Sequence, residues 1–324
     1  MKLVTFDDSA GRGPKRIGAV LDNNVIDLNA ALASRLATGA TIERAAIMAN
    51  AAIPDDMVAF LAGGPASMDQ AKSALEHSAN ADEGTDGQPI ERSLSKVRLL
   101  APVPRPASIR DTISFEGHMR AFERRTGKTT PDLWYDRPIY YKGNPATVVG
   151  PEAEIRWPAY AEKLDYELEF GIIVGKTGCD VAEADAHSHI AGYLIFNDFS
   201  ARDVIPGEVS VNLGPSKGKD FDTGNAMGPW LVTPDEIDAS NLNMTARING
   251  ETWSEGNSSD MYWTFEQMIA FMSQSETLHP GDFIGSGTVE NGCGDEMDKW
   301  LSPGNVVELE VDGLGLLRNT ISSR

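Results

Sequence analysis

The segment Asp165-Tyr166-Glu167-Leu168-Glu169 runs directly into Phe170-Gly171-Ile172-Ile173-Val174. Read as one strand, it begins acidic and ends in a core. Alternate side chains on a strand share a face, so Glu167 and Glu169 point the same way, and Asp165 falls on that face too, about 7 Å per two-residue step. Like charges crowded on a half-buried face repel unless a cation lies between them. Converging carboxylate oxygens suit a hard divalent ion.

Two further segments carry matching chemistry. In Phe196-Asn197-Asp198-Phe199-Ser200-Ala201-Arg202-Asp203, Asp198 closes the apolar run Tyr193–Phe196, where a buried strand opens into a loop. Such strand ends hold a group rigidly and still expose it. The polar stretch Gly214–Thr223 places Lys219 in a glycine-containing loop able to approach a ligand. Each piece also has a plainer reading. Acidic strand faces are usually solvated, Arg202–Asp203 reads as an ordinary ion pair, Lys219 as a loop lysine and His118 as a surface-helix residue. His187 and His189 lie in a polar helical stretch and read as surface residues. Cys179 and Cys293 read as structural, and Trp263 and Trp300 as packing residues.

The elements that must position these groups fall into two parts. In the first, Leu3–Phe6, Ile17–Leu21 and Val25–Leu28 read as short strands, the last two joined by a turn at Asp22-Asn23-Asn24. Helical patterns follow at Ala30–Ala37, Ile42–Ala52, Pro54–Leu61 and Met68–His77. The polar stretch Ser78–Gln88 is a linker, and Pro102, Pro104 and Pro106 make a stiff connector. Beyond residue 107 strands dominate: Glu154–Trp157, Leu168–Val174, Tyr193–Asn197, Trp230–Val232, Met244–Ile248, Phe283–Ser286 and Val306–Val311. Thr264–Ser275 is the clearest helix, with Phe265, Met268, Ile269 and Met272 on one stripe. Short strands joined by Gly, Pro and Asn turns imply an antiparallel or mixed β-roll, not a parallel βαβ sheet. The expected organisation is α+β, mainly β, with a small N-terminal α/β domain over 1–95 and a catalytic domain over 96–324.

At 324 residues the chain buries a substantial core. Its net charge of −20 and pI near 4.6 exclude nucleic acid as a partner. A few clustered basic residues still accommodate an acidic small molecule. The N-terminus has no apolar signal core, and no run of about 18 apolar residues occurs. Two distant cysteines without CxxC spacing fit a reduced, cytoplasmic setting, and the lack of a long apolar run leads us to expect no membrane partner.

Taken together and in order, Arg110-Asp111…His118, Asp165–Glu169, Asn197–Asp203, Gly218-Lys219 and Gly285-Ser286-Gly287-Thr288 resemble the fumarylacetoacetate hydrolase family, in particular its longer bacterial members. The resemblance covers roughly residues 95–324. It implies a mixed β-sandwich roll and a divalent ion, usually Mg²⁺ with Mn²⁺ or Ca²⁺ as alternatives, on the carboxylates matching Glu167, Glu169 and Asp198. The animal enzyme adds a carboxylate seven residues before its catalytic histidine, a spacing reproduced by Asp111 and His118. The resemblance also implies substrate contacts by the residues matching Tyr141, Arg202, Lys219 and Thr288, and a homodimer.

The chemistry agrees with that resemblance. A 1,3-diketo acid offers paired oxygens to a Lewis-acidic metal. Hydrolysis of its C–C bond needs a base for water, a task suited to His118, and a cation such as Lys219 for the departing enolate. Arg202 is suited to gripping a carboxylate. The expectation is therefore a metal-dependent hydrolase of an acylpyruvate or related diketo acid. Decarboxylation, isomerisation and sugar-acid dehydration use the same chemistry, and a non-catalytic metal- or acid-binding protein is the reading from another class. Glu296 best matches the partner of His118, with Glu123 and Glu116 as alternatives; the position three residues after the histidine, where shorter members place a glutamate, is Ala121. Ile205 stands where the family often has Gln, which leaves the natural substrate open. Residues 112–130 are expected to form a mobile cover, with Gly117 and Gly127 as flexible points.

Overall fold

A computed structural model describes residues 1–8, 11 and 13–323. A large mixed sheet runs from Glu91–Ser93 through Asn24–Asp27, Arg16–Leu21, Lys2–Asp8, Asn225–Val232, Ile190–Asp198, Glu169–Val174, Asp282–Gly285 and Ser108–Thr112 to Tyr140–Gly143. A second sheet orders Glu251–Asn257, Asn243–Ile248, Val306–Val311, Gly315–Ile321 and Glu154–Ile155. Most pairings are antiparallel. Asp282–Gly285 lies parallel to Ser108–Thr112, and Gly315–Ile321 parallel to Glu154–Ile155. The architecture is α+β, mainly β, in the mixed roll expected.

The central strands are apolar on both sides because both faces of the large sheet are covered. Phe170, Ile172, Val174 and Ile195 pack toward the second sheet, against Met244, Leu309 and Leu317 and the helix Phe265–Met272. Ile173, Leu194, Phe196 and Phe283 face the other way, onto Leu3, Ile26, Leu32 and Phe60. This alternation follows from the two-residue period of a strand. Gly171 is required here, since a Cβ at that position would lie 2.4 Å from the Phe283 ring.

The first 95 residues add Lys2–Asp8, Arg16–Leu21, Asn24–Asp27 and Glu91–Ser93 to the large sheet. They join it through Leu3 opposite Leu231. Asp27, fully buried, caps the helix Leu28–Ala37 through Ala30 N (3.0 Å) and holds Arg16 (2.7 Å) and Arg92 (3.1 Å). The helix expected at Pro54–Leu61 starts only at Met57, because Asp56 accepts from Ala59 N and fixes the start there. Ile42–Ala52 and Val306–Val311 form as the patterns indicate. Strands Glu251–Asn257 and Gly315–Ile321, weakly patterned in sequence, complete the second sheet.

The acidic strand differs from its sequence reading. Leu164–Asp165 pairs with Ser200–Ala201 in a separate ladder, Glu167 makes an isolated bridge to Cys293, and the strand proper is Glu169–Val174. Asp165 does not join the converging carboxylates: its oxygens are taken by Arg202, which also holds Glu167, and by the backbone of 166, 294 and 295. Among the described residues no helix is long and apolar enough to cross a membrane.

Candidate metal centre and acid–base pair

Three segments deliver the four carboxylates. Asp111 lies on Ser108–Thr112 between Gly285 and Tyr141, Glu169 opens its strand, Asp198 ends Ile190–Asp198, and Glu167 stands just before Glu169. One oxygen from each lies within 4.8 Å of the others, and all four residues are buried. Gly285 makes room for this: a Cβ there would sit 2.1 Å from Asp111 Oδ1.

The four carboxylates are not equivalent. Lys219 Nζ, itself buried, lies 2.7 Å from Glu167 Oε2 and 2.5 Å from Asp198 Oδ2. The Tyr141 hydroxyl donates to the same Asp198 oxygen at 2.7 Å. Arg202 spans Asp165 Oδ2 (2.9 Å, from Nε) and Glu167 Oε1 (2.6 Å, from Nη2). Burial would push Glu167 upward, but Lys219 and Arg202 outweigh it and hold this carboxyl far below the usual range. Burial raises Asp111 well above its ordinary value, and the charge of Asp198 adds to the effect. Burial and the neighbouring Asp111 do the same to Glu169. Asp198 is pushed up to about 6, first by burial. Burial opposes the Lys219 charge, yet Asp198 and Glu167 raise its pKa, so it stays an ammonium.

Both oxygens of Glu169 and Oδ1 of Asp198 are buried without a hydrogen-bond partner. Such atoms are costly to leave unpaired. A hard cation with oxygen ligands satisfies them together and relieves the repulsion that raises Asp111 and Glu169. The donor set of Asp111, Glu167, Glu169 and Asp198 therefore fits a divalent ion.

His118 sits on the helix Glu116–Thr126, and its Nδ1 pairs with Glu296 Oε1. The other Glu296 oxygen accepts from Asn291 N at 2.5 Å, and the Cys293 thiol approaches Oε1 at 3.7 Å. With a carboxylate on Nδ1 the proton resides there, and Nε2 is the basic nitrogen. Cys293, whose backbone bridges to Glu167 and whose thiol reaches Glu296, sets this pair next to the acidic cluster. The two alternative glutamates are engaged elsewhere, Glu123 with Thr130 N and Glu116 with Arg120 and Tyr135. Two ion pairs, Arg124–Glu290 (2.8 Å) and Arg125–Asp295, fasten the same helix to the loop that carries Glu296.

The Thr288 hydroxyl is buried and donates to Leu168 O at 3.3 Å. Ile205 begins a short helix, Ile205–Val209, packed over Gly218 beside Lys219. Two residues lacked a readable signal. Asn197 accepts Glu167 N, and its place beside Asp198 was the one hint. Glu208 gathers Ser216, Lys217 and Gly218 N–H groups just before Lys219. His189 corrects the surface reading: it is buried, with Nδ1 on Lys176 O, while His187 is exposed. Trp263 and Trp300 bond Trp134 O and Asp298, away from the cluster, in keeping with packing roles.

A mixed β-roll with buried carboxylates converging at its strand ends, beside a His–Glu pair, is a site able to hold a divalent ion next to a proton-transfer group. The chain belongs to the fumarylacetoacetate hydrolase family: residues 107–322 match the model of the fumarylacetoacetate (FAA) hydrolase C-terminal domain. It is 32% identical over 327 residues to the mitochondrial oxaloacetate tautomerase fahd2 of Xenopus laevis, covering 99% of this chain and 90% of that protein. Among solved structures, a fumarylacetoacetate hydrolase from Exiguobacterium antarcticum superposes with a TM-score of 0.72 at 25% identity, covering 100% of both chains. The fold is shared with maleylpyruvate hydrolase of Sphingobium sp. SYK-6, a complex with manganese (II) and pyruvate, at a TM-score of 0.71, 24% identity and 99% of each chain.

Proposed function

We infer that this protein interconverts the keto and enol forms of a small 2-keto acid of the oxaloacetate type. The observation that carries this reading is the His118–Glu296 pair set beside four buried carboxylates. Tautomerisation moves one proton between a carbon and an oxygen, and this pair supplies one group able to take and return it. Similarity to an oxaloacetate tautomerase over nearly the whole chain supports the same choice.

Asp111, Glu167, Glu169 and Asp198 would hold Mg²⁺ or Mn²⁺, which when bound supplies Lewis-acid polarisation of a substrate carbonyl. His118 Nε2 removes the proton from the carbon next to that carbonyl, and Glu296 stabilises the imidazolium so formed. Lys219 places positive charge beside the enolate oxygen, and Tyr141, its phenol pushed well above the ordinary range by burial, remains a hydrogen-bond donor. His118 then delivers that proton to the enolate oxygen to give the enol, and the reverse direction takes it from the enol hydroxyl back to the carbon.

A second reading keeps the C–C hydrolysis of an acylpyruvate. The same base would activate water, and the Exiguobacterium antarcticum neighbour is named a hydrolase. Assays with Mg²⁺ or Mn²⁺ separate the two. Accelerated decay of enol-oxaloacetate absorbance without pyruvate release supports tautomerisation. Release of pyruvate and a carboxylic acid from acetylpyruvate supports hydrolysis, and neither activity would sink both. A homodimer and a cytoplasmic location complete the reading; the two free thiols fit a reducing setting. Light scattering at twice the 34.9 kDa chain mass tests the dimer.

A further inference from the structure

We propose that Asp165 is a positioning residue that fixes the His118–Glu296 pair relative to the carboxylate cluster. Its two oxygens carry four hydrogen bonds and reach in two directions. Oδ1 accepts from Tyr166 N (2.9 Å) and Gly294 N (2.8 Å). Oδ2 accepts from Asp295 N (3.0 Å) and Arg202 Nε (2.9 Å).

One arm ends in the acid–base pair. Gly294 and Asp295 open the single-turn helix Gly294–Met297, whose first N–H groups have no intrahelical partner. Asp165 satisfies both, and Glu296 is the next residue of that turn. The fit excludes a side chain at Gly294, where a Cβ would lie 2.7 Å from Asp165 Oδ1. The other arm ends in the cluster, since Arg202 passes from Asp165 to Glu167 Oε1. Glu296 and Glu167 are thus tied to one fully buried carboxylate. Asp165 touches neither a reacting atom nor the carboxylate oxygens that converge in the cluster. Its contribution is the distance between them, and a displacement near 1 Å at such a site costs on the order of 10²-fold in rate.

The inference rests on the keto-acid reading for its rate measurements, and not for its exchange measurement. In Asp165→Asn one oxygen becomes an NH₂ group facing the donors Arg202 and Asp295. With oxaloacetate, kcat should fall about 10- to 100-fold, while KM and Mn²⁺ affinity stay within about threefold. Amide hydrogen exchange over residues 293–297 should accelerate with no substrate present. A kcat per Mn²⁺-loaded chain within about twofold of the parent overturns the proposal. So does a loss of kcat that only follows a loss of Mn²⁺ sites, because that is the mark of a purely structural role. If the parent turns over no keto acid, the functional reading fails while exchange still decides the role of Asp165. Should D165N not fold, D295P is compared with D295N. Both lose the exposed ion pair to Arg125, and only D295P loses the N–H given to Asp165. D295P must have the lower kcat and the faster exchange; equality overturns the proposal.

Discussion

Lys219 and Asp198 meet at a single oxygen: Nζ lies 2.5 Å from Oδ2, and Oδ1 is left buried with no partner. The ammonium neutralises part of the cluster without filling it. Five buried carboxylates, counting Asp165, face one buried cation, Lys219, and one partly buried one, Arg202. That imbalance underlies the predictions that follow.

Glu169 has neither oxygen paired, so it is the carboxylate whose loss most affects metal and least affects the metal-free fold. Glu169→Gln should weaken Mn²⁺ binding by at least about tenfold, read by calorimetry. Without metal its melting temperature should equal or exceed the parent value, because one crowded acid becomes neutral. A melting temperature many degrees lower would count against the assignment.

Removing Lys219 leaves Glu167 and Asp198 without their shared cation. Lys219→Met should cost about 3–5 kcal/mol in the metal-free protein, measured by urea unfolding. Mn²⁺ should restore much of that loss and bind more tightly than in the parent, since it no longer competes with the ammonium. A variant as stable as the parent without metal would contradict the pairing.

Stability should depend on pH in a defined direction. Asp198 has a folded pKa of about 6, above its ordinary 3.8. The folded state therefore binds the extra proton, and this contribution, complete below about pH 4, is lost as pH rises through about 6. Asp111 and Glu169 are raised and act in the same sense. Glu167, held low, acts oppositely: its contribution is present above about 4.5 and lost as pH falls toward its folded value. The metal-free melting temperature should fall between pH 5 and 7, less steeply in Asp198→Asn, and Mg²⁺ should flatten the fall. Scanning calorimetry across that range, with and without Mg²⁺, is the check.

His118→Ala removes the base without removing a proposed metal ligand. Its rate should drop on the order of 10²–10⁴-fold with Mn²⁺ affinity unchanged. Parent-level turnover would eliminate the acid–base role.

The helix carrying His118 is amphipathic and fastened by the exposed pairs of Arg124 and Arg125, each worth about 0–1 kcal/mol. Hydrogen exchange over 116–126 should slow when oxalate and Mg²⁺ bind, and should quicken in the R124A/R125A double variant. Identical exchange in all three states would remove the idea of a cover.

Much of this protein is legible in its residues. The unbroken apolar run Phe170–Val174 announced a buried strand, the Phe265–Met272 stripe announced its helix, and residue types marked Glu167, Glu169, Asp198, His118 and Lys219 as chemically able. Local patterns carry such information because burial and capping act over a few residues. The choice of Glu296 over Glu116 and Glu123 was decided by a contact between positions 118 and 296, which no local pattern encodes. The same holds for Asp165: its spacing placed it with the acidic cluster, but Arg202 and the 294–295 backbone take up its oxygens instead. Arg202, read as a grip for substrate, has two of its nitrogens committed to Asp165 and Glu167. A sequence specifies which groups can form charged hydrogen bonds. Which of them meet is settled by long-range packing, where a buried charge needs a partner and takes the one that the fold brings within reach.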